Sequence, residues 1–521
     1  MNAAVSTTVQ PDARGVVTLD GDWEFHPGDH DRATLDSAPL ITIAVPGLWE
    51  AQGHLDLDGP AWYRRRFQLS NPDGCWTLHF AAVMDIAEVY LNGTFLGRHE
   101  HPFTPFEFDV TEMLVPGENL LEVRVVDPPV TDPDHPRLAH GKQGWANHVF
   151  PSRPSLYLTY GGIWQSVTLR RHGPVVIRDV FVNGDPADVI VTVELANRDT
   201  EPVDGELAVR ALGKVAEQHL VLEPGEIRMV NFYLGVSTAA RWNPDSPVLH
   251  HAVVDVLLND VVSDHRVVRF GLRRVRMVGD RIEINDVPYR MKSVLVQGFD
   301  PDNLYAEGGR EQILREVRAA RAMGFNTLRL HIKAFDPIYL DVCDEEGMLL
   351  HCDLPVAEPI AHDELGDGTL VSTRAVGAIQ EQVRRDRNHP SVILWSAMNE
   401  LGLDGPGSRE TVAYAQFART LYAAVRDLDP TRPVIENDWV EPDPDRVFSS
   451  PILTAHWYGR LHADYLDKLE RESRRWADTG RPLFITEFGD WGLPLMPQRE
   501  MPPFWDPREV YAAGLAGSRW P

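Results

Sequence analysis

The sequence predicts a multidomain protein, with two all-β sandwiches followed by an α/β domain of the (β/α)8 barrel type that lacks its eighth strand. Three observations predict it. The 521 residues exceed what a single hydrophobic core organises. Up to about Gly271 the chain is a series of short alternating runs broken by turn residues, without a helical pattern of useful length. From about Leu272 strand-like runs alternate with amphipathic helices, which implies parallel strands joined by crossovers.

The first domain, residues 1–171, carries strand-like runs at Trp62–Leu69, Cys75–Phe80, Ala87–Leu91 and Asn119–Val126. Asn92-Gly93 lies between apolar runs and supplies the positive φ angles of a tight hairpin turn. The second domain, 172–271, repeats the pattern at Val189–Leu195, Gly205–Ala211, Ile227–Leu234 and Ala252–Leu258. About a hundred residues and roughly seven strands suit an immunoglobulin-like sandwich.

In the third domain, 272–521, candidate strands are Met291–Gln297, Asn326–His331, Met348–Leu354, Ser391–Ser396, Arg432–Glu436, Ile452–His456 and Pro482–Thr486. Between the first two, Ile313, Leu314, Val317, Ala320 and Met323 recur at helical spacing. Seven strands with intervening helices suggest a barrel, and only residues 488–521 follow the seventh. A missing C-terminal segment or a second copy of the chain is expected to complete it, because an open barrel exposes hydrophobic edge.

Composition narrows the partners. The 77 acidic against 50 basic residues give a net charge of −27, which repels phosphate backbones and anionic membranes. Nucleic acid and membrane are therefore excluded as expected partners, and a neutral sugar is easier to accept than a polyanion. Met1–Gly15 lacks the basic and apolar regions of a secretory signal, and the three cysteines form no CxxC and no disulfide framework. A cytoplasmic protein is expected. No HExxH, EF-hand, P-loop or dinucleotide fingerprint occurs, so no cofactor is called for. Glu358 and His362 are two isolated candidate ligands for a divalent cation, with a solvated loop as the plainer reading.

Barrel active sites lie where the strands end at their C-terminal rim. Strand four runs into Asn399-Glu400, and strand seven runs into Glu487. Retaining glycoside hydrolysis needs two carboxyl groups about 5–5.5 Å apart, and strands four and seven face one another across a barrel mouth. A glutamate after a strand equally suits the start of the next helix, favoured by its dipole. Asn437, Asp438 and Trp439 follow strand five, where polar groups beside an aromatic suit a sugar and an Asx-turn is the bland alternative. His331 and Lys333 close strand two within reach of such a site.

Arg385-Asp386-Arg387-Asn388-His389-Pro390-Ser391-Val392-Ile393-Leu394-Trp395-Ser396 before Asn399-Glu400 resembles the acid/base signature of glycoside hydrolase family 2, whose members include β-galactosidases and β-glucuronidases. Pro482–Gly489 is similar to that family's nucleophile segment, and Gly161-Gly162-Ile163-Trp164-Gln165 to a motif of its N-terminal sugar-binding domain. The resemblance implies a jelly-roll-like sandwich, an immunoglobulin-like sandwich and a TIM barrel, in that order. It implies Glu400 as acid/base, Glu487 as nucleophile and Asn399 as the ligand of the sugar 2-hydroxyl. Arg329 would support the nucleophile, against a plain salt bridge as the alternative. His456, Trp457 and Tyr458 after strand six would supply the tyrosine and aromatic wall of a sugar site. The implied activity is hydrolysis of terminal β-linked sugars, β-galactoside ahead of β-glucuronide, β-mannoside or β-glucoside. Leu330-His331-Ile332-Lys333 and Gln297 depart from the pattern of well-known β-galactosidases. A carbohydrate-binding subunit with an incomplete barrel is the reading from a different class.

Overall fold

The computed structural model describes residues 7–9, 11–12, 15–128, 139–141, 143, 158–357, 368–400, 409–438, 450–458, 467, 470, 471, 474 and 480–489. The chain divides into two units: Met1–Pro129, Tyr160–Arg273 and Arg384–Pro390 form one, and Val130–Thr159, Arg274–Val383 and Ser391–Pro521 the other.

The first unit holds both sandwiches. In the N-terminal one a seven-stranded sheet centred on Gly59–Leu69 and Gly117–Asp127 accompanies a four-stranded sheet containing Cys75–Phe80 and Val167–His172. Trp23, Phe25, Trp49, Tyr63, Phe67 and Trp76 fill its core. The Asn92-Gly93 turn has the left-handed angles its residues favour, φ 49° and 86°. Asn92 is further fixed because its Oδ1 accepts from the backbone N–H of Leu120 at 2.8 Å. Gly161 passes so close to the Trp49 ring that a Cβ there would lie 2.0 Å from it. Its N–H donates to the buried Glu50 carboxyl at 3.0 Å. At Gly161 the motif that resembles a sugar-binding domain thus serves packing, where only glycine fits.

The second sandwich pairs Val175–Asn183, Val189–Asn197 and Ile227–Gly235 in one antiparallel sheet. Lys214–Leu222, Val203–Ala211, His250–Leu258 and Val261–Phe270 form the other. Arg384–Pro390 belongs to the same unit although it lies just before Ser391 in sequence. Asn388 acts as an extra rung on the strand Val175–Asn183: its Oδ1 accepts from Val182 N–H at 2.9 Å and its Nδ2 donates to Val180 carbonyl at 2.7 Å. Arg387 pairs with Asp179 and lies 4.4 Å over the Phe181 ring. The first half of the acid/base-like signature is therefore a fastener. Replacing Asn388 by Ala should cost about 1–3 kcal/mol, since two partners are left unmatched. KM for a cleaved glycoside should stay unchanged. Urea unfolding with an unchanged midpoint would contradict that assignment.

The second unit opens with a small antiparallel sheet, Val275–Val278, Arg281–Ile284 and Val287–Tyr289. The sequence reading placed no strands there, because segments of three or four residues offer too few alternations to stand out. The barrel strands follow: β1 Ser293–Val296, β2 Thr327–Leu330, β3 Leu349–Asp353, β4 Val392–Ser396, β5 Val434–Ile435, β6 Leu453–Tyr458 and β7 Leu483–Gly489. Helices Arg310–Ala322, Pro337–Glu346, Leu370–Asp386 and Arg409–Leu428 intervene. β1 to β5 form one parallel sheet in sequence order, and β6 pairs β7 in parallel.

Alternation along the strands decides what meets what. Leu328, Leu330, Leu350 and Cys352 join the apolar cluster shared with the helices. Arg329, His351 and Asp353, one residue out of step, point to the opposite face. A cleft of about 980 Å³ lies between β1 and β7, lined by Leu295, Phe325, Arg329, Leu483, Ile485 and Phe488. Seven barrel strands are present among the described residues, and residues 490–521 lie outside the described ones. Cys343 and Cys352 are buried free thiols, Cys75 a half-buried one. No helix among the described residues is long and apolar enough to cross a membrane.

Candidate active site

The strand ends converge on one group of polar side chains. Beyond β4 the chain stays in sheet register: Asn399 N–H donates to Val356 carbonyl at 3.0 Å, Asp438 N–H to Met398 at 2.8 Å, and Glu400 N–H to Asp438 at 2.8 Å. These bonds hold Glu400 at φ 56°, a left-handed angle that a residue with a Cβ adopts only when its surroundings impose it. The carboxyl is thereby fixed by backbone and not by rotamer choice alone.

Arg329, 1% exposed, is the hub. Its Nε donates to Asp353 Oδ2 at 2.9 Å, its Nη2 to Asn399 Oδ1 at 2.8 Å, and its Nη1 to Glu487 Oε1 at 3.0 Å. Asp438 Oδ2 lies 3.0 Å from the same Nη2. Burial works against the guanidinium charge, but Asp353, Asp438 and Glu487 outweigh it and raise its affinity for the proton. Burial likewise pushes Asp438 up, yet Arg329 and His456 hold it well below the usual carboxylate range. For Asp353 burial wins and the shift is upward. His351 is lowered to about 4 by burial, so its ring is neutral near pH 7, 2.7 Å from Ser396 Oγ.

Removing the hub leaves three carboxylates without their shared cation. Arg329→Met should destabilise the protein by about 3–5 kcal/mol, the cost of an uncompensated buried charge. A loss under about 1 kcal/mol on denaturant titration would contradict the central place given to Arg329.

His456 joins the two glutamates. Its Nδ1 is 2.8 Å from Glu400 Oε1, and its Nε2 is 3.5 Å from Glu487 Oε1 and 3.4 Å from Asp438 Oδ1. One carboxylate oxygen of Glu400, one of Glu487 and a ring nitrogen of His456 all lie within 4.8 Å of one another. The Glu400 side chain is 17% exposed and that of Glu487 10%, so both carboxyls are reachable. Thr486 Oγ1 donates to Asp438 Oδ1 at 2.6 Å, which fixes the floor between them.

The fold gathers Glu400, Glu487, Asn399, Arg329, Asp438 and His456 into this group, with His331 behind it, its Nδ1 2.6 Å from Asp353. Lys333 turns elsewhere. It is buried, its ammonium 2.9 Å from Glu307 Oε1 and bonded to the carbonyls of Gly298 and Tyr305, where it pins the segment after β1. Asn437 is fully buried, and its carbonyl accepts from Thr454 Oγ1 at 3.4 Å. Trp439, Glu358 and His362 lie outside the described residues, as do the side chains of Trp457 and Tyr458. Sequence reasoning passed over Asp353, His351, Ser396 and Thr486. The signal for the first two was a His-x-Asp pattern in the apolar run Met348–Leu354, polar residues at every second position of a buried strand.

Residues 55–156 match the glycosyl hydrolase 2 galactose-binding domain-like family, residues 175–273 glycosyl hydrolases family 2, and residues 291–498 the family 2 TIM barrel domain. The chain is 25% identical over 448 residues to a β-galactosidase of Thermoanaerobacter pseudethanolicus, covering 81% of this chain and 55% of that protein's length. It is 24% identical over 524 residues to a β-glucuronidase of Streptococcus agalactiae, covering 92% and 83%. Among solved structures, a family 2 β-galacturonidase from Eisenbergiella tayi bound to galacturonate shares the fold. Its TM-score is 0.76 at 24% identity, over 95% of this chain and 85% of that one. With matches to three domains of one family in the order sandwich, sandwich, barrel, the chain belongs to glycosyl hydrolase family 2.

Proposed function

We propose that the chain is a retaining exo-β-glycosidase that releases terminal non-reducing β-linked sugars, with Glu487 as nucleophile and Glu400 as acid/base. The observation that carries this is the approach of their carboxylate oxygens to within 4.8 Å, from the ends of β7 and β4. Retaining enzymes hold their two carboxyl groups about 5–5.5 Å apart, and a wider gap would leave room for the water of an inverting one. Glu487 closes on the anomeric carbon while the glycosidic C–O bond breaks and Glu400 gives its proton to the departing oxygen. Water then attacks the glycosyl-enzyme, its proton passing to Glu400, and the sugar leaves with its configuration kept.

Asn399 supports a place for the sugar. Arg329 donates to its Oδ1, which fixes the amide orientation. The buried Nδ2 has no hydrogen-bond partner among the described residues, a donor suited to a sugar hydroxyl. For the sugar itself, Arg329 and Lys333 are both paired with carboxylates of the protein, which favours a neutral sugar and β-galactoside first. A uronoside is the second reading, favoured by the match to a β-glucuronidase over 92% of the chain.

A panel of nitrophenyl β-galactoside, glucoside, mannoside, glucuronide and galacturonide separates these readings. Release is expected on at least one, galactoside foremost. Sugar binding without release on any of the five would favour a binding subunit over an enzyme.

A further inference from the structure

We infer that His456 is a positioning residue that shares a proton with Glu400, and not a ligand of the sugar. The inference rests on Glu400 being the acid/base. The His456 side chain has no exposed surface, which leaves no ring edge for a sugar. Among the described residues, the carboxylates facing it are Glu400 from the end of β4, Asp438 from the end of β5 and Glu487 from β7, all within 3.5 Å of a ring nitrogen. Arg329, from β2, is bound to two of these same carboxylates, Asp438 and Glu487.

The two cations thus divide the pair of glutamates between them. Glu487 receives an arginine, whose charge is permanent at any pH the protein experiences. Glu400 receives a histidine, which can surrender its proton. A nucleophile must stay ionised and an acid must have a proton to give, so the assignment of cations follows the division of labour. When the glycosidic bond breaks, the shared proton passes from Nδ1 to Glu400, which gives it to the departing oxygen, leaving a neutral ring beside a carboxylate. When water attacks the glycosyl-enzyme, its proton returns through Glu400 to Nδ1. One proton leaves and one returns in each cycle.

The electrostatics agree in direction. Burial lowers the imidazole's affinity for a proton, but the adjacent Asp438 carboxylate, the hydrogen bond to Glu400 and the charge of Glu487 outweigh it, pushing it up to about 9. A group raised in this way stabilises the fold fully below its ordinary value near 6.5, and that contribution fades as pH rises through about 9.

Imidazole ¹⁵N NMR of the native chain tests the shared proton without requiring turnover. His456 should carry protons on both nitrogens at pH 7.5, below its midpoint of about 9, and Glu400→Gln should lower that midpoint. A ring neutral at pH 7.5, or unmoved by Glu400→Gln, overturns the inference. In kinetics, His456→Gln should slow the first step on a phenyl glycoside about tenfold or more while sparing the first step on a 2,4-dinitrophenyl glycoside, read as the phenolate burst, because that leaving group needs no proton. Equal loss on both would mean a merely structural role and would also overturn it. Should Glu400→Gln itself show no such split, the acid/base assignment fails, and the NMR result stands as a separate reading of the pair.

Discussion

Replacing Glu487 by glutamine should lower release from nitrophenyl β-glycosides by about a thousandfold or more, with little change in fold. The amide keeps the shape and can still meet Arg329, but it lacks the negative charge with which a carboxylate attacks the anomeric carbon. The loss should fall on kcat and kcat/KM together, because the interaction removed is one made only as the new bond forms. Equal retention of the native melting temperature would separate this from damage to the buried network. A variant keeping a tenth of native activity would remove Glu487 from the role proposed for it.

Glu400→Ala should behave differently, and the difference is diagnostic. Loss of general acid catalysis costs about 10²–10⁴-fold on substrates whose leaving group needs a proton. On a 2,4-dinitrophenyl glycoside the first step should be nearly spared, while the second, which lacks its base, should limit turnover and give a burst of phenolate. Azide, which enters the vacated space and needs no base, should restore turnover and yield a β-glycosyl azide. No burst and no azide product would contradict the division of roles between the two glutamates.

Much of this was legible before any coordinates. The seven barrel strands fall within a few residues of their expected ends, because each is a largely apolar run bounded by turns. Glu400 and Glu487 stood out because each follows such a run where a barrel rim is expected, and the family resemblance, which also supplied Asn399, separated them from glutamates that merely start a helix. Arg329 was visible only through the family resemblance, with a plain salt bridge as the alternative; the three carboxylates around it come from other strands.

What stayed hidden depended on register and on partners far away in sequence. Asp353 meets Arg329 only because β2 and β3 pair with Arg329 opposite His351. No pattern within either strand shows that offset. Lys333 looked like a rim cation until Glu307, 26 positions earlier, was seen to claim it. Arg385–Pro390 read as part of one catalytic signature with Asn399-Glu400, yet Arg387 and Asn388 bind Asp179 and the strand Val175–Asn183. A contiguous motif can serve two structures when a strand begins in its middle, as β4 does at Val392.

The most direct measurement is the mass of the peptide containing Glu487 after reaction with a 2-deoxy-2-fluoro glycosyl fluoride of the preferred sugar. The second step is slowed by fluorine, so the adduct should persist. A gain of one fluoroglycosyl group on Glu487, absent from Glu487→Gln, is the result the two-carboxylate account predicts. An adduct on any other residue, or complete turnover with inverted anomeric configuration, would contradict it.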